Sequence, residues 1–318
     1  MNMLYIGIDV GGTTAKAGVV DEEGKILSKS VCRTGKERAF EDIAADMAEL
    51  CRRVVRESGH EMADIAAVGV GIPGEQDPRS GLVAFCNNLG WVNVPLMQRL
   101  REALGLSVYV DNDANVAALA ESAFGASRDV KSSILVTLGT GVGGGIVENR
   151  RVRTGAHGVG GEIGHMVVVM DGEKCNCGHR GCWEKYASAT AIIRMGRALM
   201  EEKPDCALAR QLGGDAAQLN AKAVLDLAKA GDADCMGIFE TYVKYLCVGL
   251  ANLINIYDPD MIVLGGGVAY AGDFLLDAVR AALGDYVYCP ALSWARVELA
   301  RMGNDAGIIG AAMLGRAE

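Results

Sequence analysis

Leu4-Tyr5-Ile6-Gly7-Ile8-Asp9-Val10-Gly11-Gly12-Thr13-Thr14 sets the architecture. Leu4–Ile8 is a short apolar run suited to a buried strand, Asp9–Thr14 is a Gly/Thr turn, and Ala15–Val20 resumes strand character. Lys25–Val31 supplies a third, antiparallel strand. The same order returns at Ser133–Leu138 (strand), Gly139–Gly145 (turn) and Ile146–Val152 (strand), a faint internal repeat. Glu37–Ser58 has helical periodicity, with Ile43, Met47, Leu50 and Val54 on one face. Ile65–Gly71 is a buried strand ending in Ile72-Pro73-Gly74. Leu96–Leu104 is helical, Ser107–Val110 a strand and Ala114–Phe124 helical. From Ala187 the chain is mainly helical, including Ala233–Tyr257. Met261–Leu264 is a strand ending in Gly265-Gly266-Gly267, and a last helix runs from about Asp305 to Gly315.

Two similar halves of mixed strands and helices, with turns at strand ends, predict an α/β protein with a cleft between two lobes that join near Asp113. The lobes are expected at residues 1–113 plus 303–318 and at 114–302. Composition agrees: 318 residues, half of them hydrophobic and 22% charged, suit two ordinary cores. A net charge of −9, with no run of Lys or Arg, argues against a nucleic-acid partner. The N-terminus lacks a basic region followed by an apolar run, and no stretch reaches the ~18 apolar residues of a membrane span. The protein is therefore expected in the cytoplasm, away from membranes, with its 10 cysteines mostly as thiols.

The three glycine turns are candidate nucleotide contacts. In the first, Gly11 and Gly12 let backbone N–H groups approach an anion, Thr13 and Thr14 add hydroxyl donors, and Asp9 is suited to hold Mg²⁺ beside a phosphate. A plain hairpin is the simpler alternative. The second, from Leu138 to Gly145, holds a literal G-x-G-x-x-G between Gly139 and Gly144. A dinucleotide site needs a helix next, and Ile146–Val152 reads as strand and turn instead. There is no G-x-x-x-x-G-K-[S/T]. The third, Gly265-Gly266-Gly267, is either a strand-to-helix connection or a flat surface against a base or ribose.

His165 and Cys175-Asn176-Cys177-Gly178-His179-Arg180-Gly181-Cys182 offer three thiols and an imidazole, the ligand set of a tetrahedral structural Zn²⁺. Cys175 and Cys177 are too close in sequence for an easy disulfide, and an odd thiol would remain. His179 is a second candidate imidazole, ranked below His165. With four protein ligands the ion has no open position, so its expected role is to stiffen the loop that carries Glu184. Asn88, Asn112, Asp113, Glu162, His165 and Glu184 recur at the ends of apolar elements, and a sugar needs several such fixed groups. Asp113 could accept a proton from an attacking hydroxyl. It could equally cap a helix starting at Ala114, as could Asp111. Glu162 and Glu184 as a glycosidase pair is a rival that the phosphate-type turns disfavour.

Asp9-Val10-Gly11-Gly12-Thr13, Asn112-Asp113, Gly161-Glu162-Ile163-Gly164-His165 and Cys175…Cys177…Cys182-Trp183-Glu184 together resemble the ROK family of bacterial sugar kinases and repressors, across nearly the whole chain. The resemblance implies a two-lobed, actin-like (ribonuclease-H-like) ATPase fold with a central cleft. It implies an ATP- and Mg²⁺-dependent hexose 6-kinase acting as a homodimer or homotetramer. Asp113 would then be the general base. Gly74, Asn88, Asn112, Asp113, Glu162, His165 and Glu184 would meet the sugar, His165 doing so while its other ring nitrogen holds zinc. Asp9, Gly11–Thr14, Thr140 and Gly141 would serve the phosphates, and Gly265 and Gly266 the adenosine. Asn87-Asn88-Leu89-Gly90-Trp91 beside the Gly-Glu-Ile-Gly-His run looks like the glucose-specific branch, with kinases for N-acetylmannosamine or N-acetylglucosamine as the alternative. A sugar-sensing repressor would carry a helix-turn-helix domain ahead of the first turn, which here begins at Asp9. A sugar-binding protein without turnover fits poorly with Asp113 and intact phosphate turns.

Overall fold

The computed structural model describes residues 3–316; Met1 and Asn2, read above for a leader signal, and Ala317 and Glu318 lie outside them. In chain order the elements begin with β1 (Leu4–Val10), β2 (Thr14–Val20), β3 (Ile26–Arg33), α1 (Phe40–Glu57), β4 (Ile65–Ile72), β5 (Glu75–Gln76), β6 (Val83–Cys86) and β7 (Trp91–Val94). There follow α2 (Leu96–Leu104), β8 (Ser107–Asn112), α3 (Asp113–Ala123), β9 (Ser132–Leu138), β10 (Val142–Glu148) and β11 (Arg151–Val152). Next come α4 (Glu184–Ala187), α5 (Ala189–Glu202), α6 (Ala207–Gln211), α7 (Ala221–Lys229) and α8 (Ala233–Tyr257). The last are β12 (Met261–Gly265), α9 (Asp273–Leu283), β13 (Arg296–Leu299) and α10 (Ala306–Leu314).

The chain forms two compact units, Met1–Leu135 with Gly145–Gly161 and Arg301–Glu318, and Val136–Gly144 with Glu162–Ala300. In the first, a sheet runs β3-β2-β1-β4-β8, with β1 antiparallel to β2 and parallel to β4. β1 is central and reads as a nearly continuous apolar run because both its faces are covered. At the edge, β3 alternates half-buried and exposed positions. One face packs Ile6, Ile8, Val68 and Val108 against Ile43, Met47 and Leu50 of α1 and Leu96 and Leu100 of α2. The other packs Tyr5, Val20 and Ala67 against Leu119 of α3 and Ile308, Ile309 and Ala312 of α10. There Gly7 and Gly69, paired across β1 and β4, leave room for helix backbone: a Cβ on either would stand 1.8 and 1.7 Å from the carbonyl oxygens of Ile308 and Ala311.

This grouping differs from the expected lobes. α3 lies in the first unit because it packs directly on α10: a Cβ on Gly310 would stand 1.6 Å from the Val116 carbonyl oxygen. Residues 145–161 return to the same unit, with Gly145 set against Ala114 and Ala118. The second glycine turn is also shorter than expected. It spans Gly139–Gly141, and Gly143–Gly145 belong to β10; that strand stops at Glu148, where Asn149 and Arg150 turn at positive φ (51° and 64°) into β11. β5-β6-β7 form a three-stranded sheet that the sequence did not announce.

In the second unit β12 runs parallel to β13. The 25-residue α8 buries Phe239, Tyr242, Leu246 and Leu250. β9 and β10 change unit part-way, within the sheet order β11-β10-β9-β12-β13. No helix among the described residues is long and apolar enough to cross a membrane.

Candidate active site and metal centre

In the first unit the Gly11–Thr13 turn joins two antiparallel strands, and two of its carbonyls are bonded to Thr34. The Gly11 N–H donates to Thr14 O (2.8 Å). Thr34, just past β3, donates its hydroxyl to Gly11 O (2.8 Å) and its N–H to Thr13 O (2.9 Å). Among the described residues the N–H groups of Gly12 and Thr13 have no protein acceptor, as an anion cradle requires. Asp9 stands at the end of β1 against Gly307, in the first turn of α10. Burial pushes its carboxyl above the usual range, partly offset by Lys16, its partner across the β1–β2 ladder. Asn88 lies in the β6–β7 turn, where the Leu89 and Gly90 N–H groups bond Cys86 and Asn87 carbonyls. A Cβ placed on Gly12 would stand 3.5 Å from Asn88 Cβ, so the sugar-loop candidate adjoins the first phosphate turn.

Asn112, rather than Asp113 or Asp111, is the N-cap of α3, and its Oδ1 accepts the Ala114 N–H (2.8 Å). Its Nδ2 donates to Gly74 O and Glu75 Oε1, both at 3.3 Å. Asn112 is therefore committed largely to protein, and Gly74 meets it through its carbonyl. Asp113 is the first residue of α3 and is exposed; its Oδ1 also accepts the Ala114 N–H (2.8 Å), so the carboxylate sits at a helix N-terminus. Asp111 takes another part. Its Oδ1 accepts from Asn112 N–H (2.7 Å) and Asn115 Nδ2 (2.8 Å), and burial pushes its carboxyl up.

In the second unit Val142 brings the other carboxylates together. Its N–H donates to Glu184 Oε2 at 3.3 Å. Gly164 lies against its carbonyl, where a Cβ would stand 2.0 Å away. Gly164 is the middle of a single 3₁₀ turn, Ile163–His165, whose i, i+3 spacing stacks Glu162 with His165. Their Oε2 and Nε2 atoms are 3.6 Å apart. Glu184 also lies against Gly141, where a Cβ would stand 2.2 Å from Oε2. Thr140 turns its carbonyl to the Thr190 hydroxyl (2.6 Å), and Gly139 O accepts the Ala189 N–H. Gly265 ends β12, and Gly266 packs on the Leu138 backbone.

The same 3₁₀ turn aims His165 Nδ1 at Cys175 Sγ, 3.7 Å away. Cys177 and Cys182 Sγ are 3.6 Å apart, and the four ligand atoms lie within 4.8 Å of one another. Ligands on a tetrahedral zinc, with bonds of about 2.0–2.3 Å, stand about 3.5–3.8 Å apart, so the donor set fits the ion. All three thiols are free rather than paired. His179 Nδ1 is 3.5 Å from Cys177 Sγ but outside this set of four. Trp183, fully buried and bonded through Nε1 to Tyr245 O of α8 (2.8 Å), anchors the loop just before Glu184. Thr34, Glu75, Val142 and Trp183 were not legible as site residues. They act through backbone groups or on residues distant in sequence, so that even Val142 and Trp183, which lie within quoted motifs, showed no role of their own.

The sheet order, the Gly/Thr turn between β1 and β2 and helices on both faces define an actin-like, ribonuclease-H-like α/β protein. The chain belongs to the ROK family, whose model matches residues 5–318. It is 39% identical over 313 residues to a glucokinase of Halalkalibacterium halodurans, covering 98% of this chain and 94% of that one. It is also 39% identical over 310 residues to a glucokinase of Thermotoga maritima, with 97% and 96% covered. A crystal structure of a ROK family glucokinase from Streptomyces griseus in complex with glucose and AMPPNP superposes with a TM-score of 0.83. The two are 36% identical, over 99% of this chain and 100% of that one.

Proposed function

We propose that this protein is a glucokinase that transfers the γ-phosphoryl group of ATP to the 6-hydroxyl of glucose. The observation that carries the reading is its full-length likeness to glucokinases, among them one solved with glucose and an ATP analogue. The free N–H groups of Gly12 and Thr13 suit a phosphate, and the exposed Asp113 suits a base.

In this reading Asp113 accepts the 6-hydroxyl proton as that oxygen bonds to the γ-phosphorus. The bond from γ-phosphorus to the bridging oxygen breaks, and ADP leaves. Glu162, His165, Glu184 and Asn88 hold sugar hydroxyls. Asn112, given its bonds, chiefly fixes the start of α3 and leaves one lone pair for the sugar. Gly74 serves by holding Asn112. Asp9 holds Mg²⁺, whose charge favours the ionised carboxylate that burial disfavours. Gly11–Thr14, Thr140 and Gly141 border the phosphates, and Gly265 and Gly266 the adenosine.

His165 through Nδ1, with Cys175, Cys177 and Cys182, would hold a structural zinc that would supply rigidity, leaving His165 Nε2–H as a donor on the side of Glu162. The active species is a homodimer or homotetramer.

The test is a coupled ADP-release assay over glucose, mannose, N-acetylglucosamine, N-acetylmannosamine, allose and fructose, with mass spectrometry of the product. Glucose is expected to give the highest kcat/KM and glucose 6-phosphate. A higher kcat/KM with any other sugar, or no phosphorylated sugar at all, overturns the reading.

A further inference from the structure

We infer that Thr34 is the positioning residue of the first phosphate turn: its hydroxyl selects the orientation of one peptide plane and so aims the Gly12 N–H at the nucleotide. The inference rests on the reading of Gly11–Thr13 as a phosphate cradle.

In a trans peptide the C=O of one residue and the N–H of the next point in opposite directions. Gly11 C=O and Gly12 N–H share such a plane. Wherever the Gly11 oxygen is held, the Gly12 N–H faces the other way. What holds it is Thr34 Oγ1, at 2.8 Å. The plane lies between two glycines, which pay little for either sign of φ, so its rotation is nearly free of steric cost. Sterics thus leave both orientations open, and the Thr34 hydroxyl bond favours the one observed. Thr34 is itself fixed, since it is 1% exposed and its own N–H is bonded to Thr13 O (2.9 Å). Two carbonyls of the turn are thus tied to one buried residue. The Gly12 N–H, opposite the held Gly11 carbonyl, has no protein acceptor among the described residues.

Thr34→Val keeps the shape and removes the hydroxyl; Thr34→Ser keeps the hydroxyl and removes a methyl group. Calorimetry with Mg-AMPPNP, glucose binding followed by tryptophan fluorescence, steady-state kinetics and Tm are measured on both. T34V is expected to weaken Mg-AMPPNP binding and to raise the KM for ATP by about five- to tenfold, the scale of one neutral hydrogen bond. Glucose affinity should stay within about twofold, and T34S should match the wild type in nucleotide affinity. Unchanged nucleotide affinity in T34V overturns the inference. So does equal loss in T34S and T34V, or a parallel loss of glucose and nucleotide affinity that tracks Tm. Wild-type protein that fails to bind Mg-AMPPNP would instead defeat the phosphate-cradle reading on which the inference stands.

Discussion

At the scale of single residues, three neighbours divide the work at the end of β8. Asp111 is half-buried and bonded, Asn112 caps the helix, and Asp113, the exposed one of the three, shares the Ala114 N–H at the helix N-terminus. Asp113→Asn keeps the size and removes the basic oxygen. It should lower kcat by at least ~10²-fold with glucose binding within about twofold, checked by steady-state kinetics and fluorescence titration. Asp111→Asn should act on stability instead. Burial raises the folded-state pKa of Asp111, so its ionised form costs stability at neutral pH, and that cost vanishes below the ordinary value of 3.8. The asparagine oxygen can accept the same two N–H bonds. D111N should therefore raise Tm at pH 7, and the gain should shrink as pH falls toward 3.8, read by thermal melts across pH. The residue types of this site were legible in the sequence, because Asp-Asn-Asp at a strand-to-helix junction limits the roles on offer. Which of the three caps was not legible, since all can; in the structure Asn112 takes the cap with its Nδ2 tied to Gly74 and Glu75, residues distant in sequence.

At the scale of elements, periodicity located the long strands and helices, including β1, β4, α1 and α8, because burial imprints a period or an unbroken apolar run on them. It missed β5–β7, whose strands of two to four residues are too short to show a period. It also ended the second glycine turn too late. Gly143–Gly145 look like a turn in sequence but are strand, Gly145 being small because α3 crosses there. The α3–α10 crossing makes the same point at Gly310, which has no turn to form. Gly310→Ala should push the helices apart and cost about 3 kcal/mol, seen as a lowered denaturant midpoint. A midpoint within error of wild type would show that the crossing tolerates a methyl group.

At the scale of the whole molecule, the chain passes between its two compact units more than once. Their limits depend on which helix covers which sheet, and that pairing is long-range. A metal ion held by the Cys/His cluster would add to global stability, since the four donors converge only when residues 163–184 are folded. Purified protein should contain about one zinc per chain by elemental analysis. A strong chelator should lower Tm and zinc should restore it; Cys177→Ser should lower both zinc content and Tm. Protein without zinc, or with a Tm indifferent to chelation, would leave that loop to be held by Trp183 and its neighbours alone.

The flat glycine row on β1 and β4 also has a consequence in time. The surface it presents is made early, by residues 4–72, yet the helix that lies on it is residues 306–314. A ribosome adding about 5–20 residues per second needs roughly 10–50 s to get from one to the other. For that interval the only helix available to cover this face is α3, and the glycine row waits for its second.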